Sequence, residues 1–263
     1  MTTSRKRVVI TGAEGVVGTV LRQGLAGRYD LKALTRTPQP FESGVADVAD
    51  LPVLSEAFAG ADAIVHLAAA ANLKAEWDEV LRSNIIGTRN VFEAAAQCGA
   101  QTVVFASSGH VLGLAEERAG PALYSLDGTR VFDELSQPEP DSLYAVSKLY
   151  GETLGRHYAY AHGLRVICVR LGTVLADNDP ISVTAGRGRS ADMPLAERFP
   201  RIRAKWLSHR DCCQLFTRCI EAESIRYAVV FGTSNNPRQI WSLRKARELL
   251  HYEPEDSAPS ALE

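Results

Sequence analysis

The sequence predicts an α/β protein built on a doubly wound parallel sheet, with a small C-terminal lobe for a substrate. Three observations carry this. Short aliphatic runs alternate with segments of helical spacing. Those runs are apolar throughout, as strands covered on both faces must be. A glycine-rich turn follows the first run directly.

The elements follow in order. Val8-Val9-Ile10 is a buried strand, and Val17 to Leu25 continues as a helix. Leu31 to Leu34 is a second strand, Leu51 to Phe58 a helix, and Ala63 to Leu67 a third strand. From Trp77 to Cys98, apolar residues recur at i, i+3, i+4 and i+7, the mark of a long amphipathic helix. Thr102 to Ala106 is a strand, Tyr144 to Tyr160 a helix, and Arg165 to Leu171 a strand again. Asp177 to Arg203 is rich in Gly, Pro, Ser, Asp and Arg and predicts a loop-rich lobe over the carboxyl ends of the strands. Asp211 to Ala222 is a helix, Ala228 to Phe231 a strand, and Leu243 to Leu250 a final helix; disorder is expected from Glu253. The 263 residues are expected to fold as one domain, with about 1–172 as the dinucleotide-binding core and 173–263 mostly as substrate lobe and C-terminal elements.

A formal charge of -2 gives no case for nucleic acid or an anionic membrane. No apolar run approaches the roughly 20 residues of a membrane span. Met1 to Arg7 is polar and basic, without a secretory pattern. The five cysteines are odd in number and form no Cys-x-x-Cys pair, which suits a reducing cytoplasm and gives no metal site.

Thr11-Gly12-Ala-Glu-Gly15-Val16-Val17-Gly18 joins the first strand to the first helix. Gly12 permits the tight turn, Gly15 lets backbone approach a pyrophosphate, and Gly18 lets the helix pack on the sheet. The phosphates then meet free N–H groups at the positive helix end. This is a Rossmann-like dinucleotide site. An acid closing the second strand would bind the ribose 2′-hydroxyl of NAD, whereas Arg can take the 2′-phosphate of NADP. Thr35-Arg36 offers no acid, so Arg36 predicts tolerance of NADP, unless it only stacks on adenine or lies in solvent. Asp47, followed by Val48, has two readings: a hydrogen bond to the adenine amino group, or a cap for the segment near Asp50.

Tyr144 and Lys148 stand at i and i+4 on one helix face. A free tyrosine titrates near pH 10 and is a poor base at neutrality. A nearby ammonium favours the phenolate, so Lys148 is expected to lower the Tyr144 pKa. The strand ending in Ser107-Ser108 supplies a hydroxyl to hold a substrate oxygen while tyrosine takes its proton.

With these motifs on the page, the chain resembles the extended short-chain dehydrogenase/reductases, which include the NAD-dependent epimerases and dehydratases. The resemblance runs from about Arg7 to Phe231. It is carried by the glycine turn, Asp47, His66-Leu67-Ala68-Ala69, Asn84-Ile-Ile-Gly-Thr88, Phe105-Ala-Ser-Ser108, Tyr144-x-x-x-Lys148 and Arg170-Leu-Gly172. It implies Ser108, Tyr144 and Lys148 as the catalytic group, with Asn84 supporting their helix and proton relay. It also implies Leu67, Ala68 and Ala69 beside the dinucleotide, and a homodimer or higher homo-oligomer paired through the two long helices.

Within that superfamily the chain is similar to uronate dehydrogenases, which oxidise the anomeric carbon of a hexuronate to an aldarolactone. Trp77-Asp-Glu-Val-Leu, Ser83-Asn-Ile-Ile-Gly87, Phe105-Ala-Ser-Ser-Gly-His110, Pro140-Asp-Ser-Leu-Tyr144 and Arg201-Ile-Arg-Ala-Lys-Trp-Leu-Ser208 carry this likeness. It implies Asn72, Ser108, His110, Thr173 and Arg201 as substrate contacts, with Arg201 binding a sugar-acid carboxylate bidentately. Two positions depart: Gly109 stands where that family has Asn, and Thr35 where it has an acid. Other readings are a sugar epimerase or dehydratase, a reductase of another small carbonyl compound, and a non-catalytic dinucleotide sensor.

Overall fold

The computed structural model describes residues 5–181 and 194–259. Seven parallel strands form one sheet: β1 (Arg7–Thr11), β2 (Asp30–Thr35), β3 (Gly44–Val45), β4 (Ala63–His66), β5 (Thr102–Ser108), β6 (Arg165–Leu171) and β7 (Tyr227–Gly232). Their order is β3-β2-β1-β4-β5-β6-β7. The chain winds outward from β1 to β3, then crosses back to β4 on the other side of β1. That reversal opens a crevice above the carboxyl ends of β1 and β4, where ligands of such sheets bind.

Both faces are covered, which is why the strands are apolar throughout. On one face Val9, Ile64, Val103 and Phe105 pack with side chains of α2 (Leu51–Ala57), α4 (Gly87–Gln97) and α6 (Leu143–Ala161). On the other, Val8, Ile10, Val104 and Val169 pack with α1 (Val16–Leu25) and α8 (His209–Glu221). Side-chain oxygens start several helices: Asp50 caps α2, Ser142 caps α6 and Ser208 caps α8. The N-cap of α1 is Gly15, with no side-chain cap, so the first N–H groups of α1 stay free.

Three expectations change. The helix expected over Trp77 to Cys98 is present, but as α3 (Trp77–Val80), a wide π turn (Leu81–Ile86) and α4. Such turns often mark functional positions, and this one carries Asn84. The segment expected to be loop-rich contains α7 (Leu195–Lys205), whose amphipathic stripe includes the buried Phe199 and Ile202; residues 182–193 lie outside the described residues. The tail is not loose over 253–259. Tyr252 and Ala258 are buried, and the Asp211 carboxylate accepts from the backbone N–H groups of Glu255 (2.8 Å) and Asp256 (3.1 Å). The sequence reading missed β3, α5 (Gly113–Ala119) and three short 3-10 or π turns; α9 (Arg244–Leu250) falls as expected. The strand expected over Ala228 to Phe231 is β7, at the sheet edge. Among the described residues no helix is long and apolar enough to cross a membrane, and no cluster of three metal-ligating side chains occurs.

Candidate active site

A cavity of about 570 Å³ runs along the carboxyl ends of β1, β2, β4, β5 and β6, a size usual for small-ligand sites. Gly12, Gly15, Val16, Val17 and Gly18 line one stretch of it. Gly12 has φ +67°, and a Cβ there would stand 2.7 Å from the Ala68 backbone; one on Gly18 would stand 2.6 Å from the Gly12 carbonyl oxygen. Side chains are thus excluded where the loop closes on itself, and the uncapped N–H groups of α1 face an open cradle. This arrangement fits a dinucleotide pyrophosphate. Arg36, Asp47, Val48, Leu67, Ala68 and Ala69 line the same cavity, as do Ser108, Tyr144, Lys148 and Thr173.

At the adenine end, Arg36 is exposed. The Thr35 hydroxyl is buried and donates to the Thr37 carbonyl oxygen (2.9 Å). The Asp47 carboxylate accepts from the Ala49 N–H (2.9 Å) and from Arg82 (2.7 Å). Burial opposes its charge, yet these bonds and the Arg36 field hold its pKa below the usual value. The cap of α2 is Asp50, which leaves Asp47 at the cavity wall.

A buried imidazole ties the loops together. His66 Nδ1 lies 2.8 Å from Thr11 Oγ1, and Nε2 lies 3.2 Å from Thr88 Oγ1. Burial, with the Lys148 charge nearby, pushes its pKa down to about 3, so it is neutral. The resemblance named His66 in a motif without a role; its two hydroxyl partners supply one.

Asn84 does not line the cavity. From the π turn its Oδ1 accepts from the Ala70 N–H (2.7 Å), and its Nδ2 donates to Ser147 Oγ (2.9 Å). Ser147 donates in turn to the Tyr144 carbonyl oxygen (2.7 Å). Asn84 therefore joins the loop after β4 to the turn of α6 that carries Tyr144 and Lys148. Sequence reasoning missed Ser147, whose place before Lys148 was its only signal.

Burial pushes Lys148 down to about 7; its Nζ lies 5.6 Å from the Tyr144 ring centre and 4.9 Å from that of Phe105. Tyr144 is held above its ordinary pKa. Burial outweighs the Ser108 hydrogen bond that favours the phenolate, and Asp141 adds to the rise. The lowering expected from Lys148 is not what the folded chain shows: the same burial that raises the phenol leaves the ammonium only partly charged at neutrality. Ser108 Oγ accepts from the His110 N–H (3.2 Å), which leaves the hydroxyl proton available to an oxygen acceptor.

Three expected substrate contacts lie elsewhere. Asn72 is exposed, and its Oδ1 accepts from the Lys74 N–H (2.9 Å) in a local turn. His110 does not line the cavity; its Nδ1 lies 2.7 Å from Asp141 Oδ2, and its ring centre 6.4 Å from that of Tyr144. Burial, helped by Lys205 and Arg201, keeps it below the ordinary histidine value against the Asp141 pull, so it is assigned as neutral, donating Nδ1–H to Asp141. Arg201 is buried on α7, 3.7 Å from Glu116, which also pairs with Lys205 at 3.0 Å. Glu116 thus holds the guanidinium expected to clamp a substrate carboxylate. No local pattern announces Glu116: 89 residues separate it from Lys205.

Comparison with known proteins agrees with this geometry. A profile of the NAD dependent epimerase/dehydratase family matches residues 8–196, and the chain belongs to that family. It is 37% identical to an NAD-dependent glucose-6-phosphate dehydrogenase of Haloferax volcanii, over 95% of this chain and 94% of that one. It is 36% identical to an L-arabinose 1-dehydrogenase (NAD(P)(+)) of the same organism, over 98% and 99%. The solved structure of uronate dehydrogenase from Agrobacterium tumefaciens superposes with a TM-score of 0.79 at 29% identity, covering 97% of this chain and 86% of that one. The chain is an NAD(P)-dependent dehydrogenase, and its relatives act on sugars.

Proposed function

We propose that the protein oxidises the anomeric hydroxyl of a small free sugar, a hexuronate first among them, to the corresponding lactone. The observation that carries this is the convergence of Ser108, Tyr144 and Lys148 on one wall of the cavity. When bound, the oxidised nicotinamide ring supplies the hydride acceptor. Ser108 donates to the sugar oxygen and holds it. Tyr144, as phenolate, removes the hydroxyl proton. Lys148 lies close enough to steady that phenolate whenever it carries its own proton. Thr173, at the cavity wall, contacts the sugar, and the neutral His110 with Asp141 backs the serine turn. Two of the three relatives, the glucose-6-phosphate and uronate dehydrogenases, carry an anionic sugar in their names and favour one here.

A screen of glucuronate, galacturonate, glucose 6-phosphate and arabinose, each with NAD and NADP, tests this reading through reduced-nicotinamide absorbance. Turnover of uronates supports it; turnover of a phosphosugar or neutral sugar alone overturns the hexuronate assignment. At the adenine end, exposed Arg36 and the absence of a carboxylate at Thr35 favour acceptance of NADP. Arg36→Ala then raises the KM for NADP by about tenfold, one charged hydrogen bond's worth, and spares NAD. A strong NAD preference indifferent to Arg36→Ala contradicts it. Ile86, Leu143, Val146 and Tyr160 are exposed on the π turn and α6, and we propose that two copies pair there, in the cytoplasm, where the five free cysteines stay reduced.

A further inference from the structure

The turn after Ser108 is built against an indole. Gly109 opens the short 3-10 segment Gly109–Leu112, for which Ser108 is the N-cap. A Cβ on Gly109 would fall inside the van der Waals envelope of the Trp241 ring at Cη2 and Cζ2, with Cζ3 at 3.1 Å. The indole is fully buried and stacked on Phe231, with ring centres 5.3 Å apart and planes at 20°. Lys205 Nζ, paired with Glu116, stands 4.7 Å from its centre. Its backbone is pinned by Phe132, whose N–H donates to Ile240 O and whose carbonyl accepts from the Ser242 N–H, each at 2.8 Å. Among the described residues, Trp241 Nε1 has no hydrogen-bond partner. An unpaired buried N–H is costly, so shape, not polarity, keeps the ring in place.

We propose that Trp241 is a positioning residue for the reaction: its ring takes the volume a side chain at position 109 would need, and thereby fixes the turn that carries Ser108 and His110. This rests on the functional reading above, in which Ser108 holds the sugar oxygen. A consequence is that residue 109 presents only backbone, so a side chain there and an indole at 241 exclude one another.

The test is a cycle of Gly109→Ala, Trp241→Phe and the double variant. It follows kcat and KM for the sugar, dinucleotide affinity by calorimetry, and thermal melting. Gly109→Ala is expected to cut kcat by about 100-fold, the usual cost of an ångström's misplacement, with dinucleotide affinity unchanged. Adding Trp241→Phe is expected to regain about tenfold of that loss by freeing space. A near-normal kcat for Gly109→Ala, or equal losses in single and double variants, overturns the proposal. If Gly109→Ala does not fold, the double variant is compared with Trp241→Phe: at least equal kcat supports the proposal, and lower kcat contradicts it. A wild-type protein that oxidises no sugar removes the functional reading and this inference with it. A wild type that turns over while the cycle shows no coupling overturns this inference alone.

Discussion

The glycine-loop half of the cleft and the charged half packed behind its serine turn are made of different materials. The first is backbone: a glycine loop closed on itself, free helix N–H groups, and a neutral histidine bonded to two threonines. The second is charge. His110 with Asp141, and Glu116 with Lys205 and Arg201, are brought together from the 3-10 turn after Ser108, α5, α7 and the segment before α6. A backbone site tolerates little change in residue identity but serves one ligand class. A site of buried ion pairs is costly to assemble and can be re-aimed by single substitutions.

The largest effect is expected where the halves meet. Tyr144→Phe removes the base and should lower kcat by about 10²–10⁴-fold, with dinucleotide affinity intact by calorimetry. Near-normal turnover would break the comparison, because catalysis would then not lie at the junction. Next comes the charged half. Glu116→Gln takes away the carboxylate that Lys205 and Arg201 share and should cost about 3–5 kcal/mol by denaturant unfolding. A change within about 0.5 kcal/mol, typical of surface sites, would show that the cluster is not a buried network.

A smaller effect separates stability from function at Lys148. Its pKa falls from 10.5 in the ordinary state to about 7 when folded. Between those values the unfolded chain holds a proton that the folded chain lacks, so stability drops as pH falls, and the full penalty applies below 7. Lys148→Met should therefore raise the Tm of the protein without dinucleotide near pH 6 while slowing turnover. An unchanged or lower Tm contradicts this. In the backbone half, His66 has the same sign. Its pKa falls from 6.5 to about 3, so its contribution is whole above 6.5 and is lost as pH falls toward 3. The slope of Tm against pH across that window should flatten in His66→Gln.

The same division explains what the sequence disclosed. Every residue expected at the dinucleotide lines the cavity, because φ at Gly12 and close approach at Gly18 dictate residue type at fixed spacing. Tyr144 and Lys148 were legible through helical spacing. Asn84 was legible only by resemblance, and its link through Ser147 needed the π turn, which no local pattern marks. Glu116 carries no signal, since its partners are distant in the chain, and Asp141 stood in the Pro140–Tyr144 motif without a role. Arg201, chemically suited to a substrate carboxylate, also stands 3.7 Å from the Glu116 carboxylate, a neighbour that no local pattern announces. The tail from Glu253 looked loose because its anchor, Asp211, lies at the start of α8 and acts through backbone N–H groups.

The central claim is hydride transfer from the anomeric carbon with Tyr144 taking the proton. A uronate deuterated at that carbon tests it most directly. The account predicts that deuterium appears on the reduced nicotinamide product, with none lost to water and a slowed rate that Tyr144→Phe abolishes. Deuterium retained in the sugar, or exchanged into solvent, would contradict it.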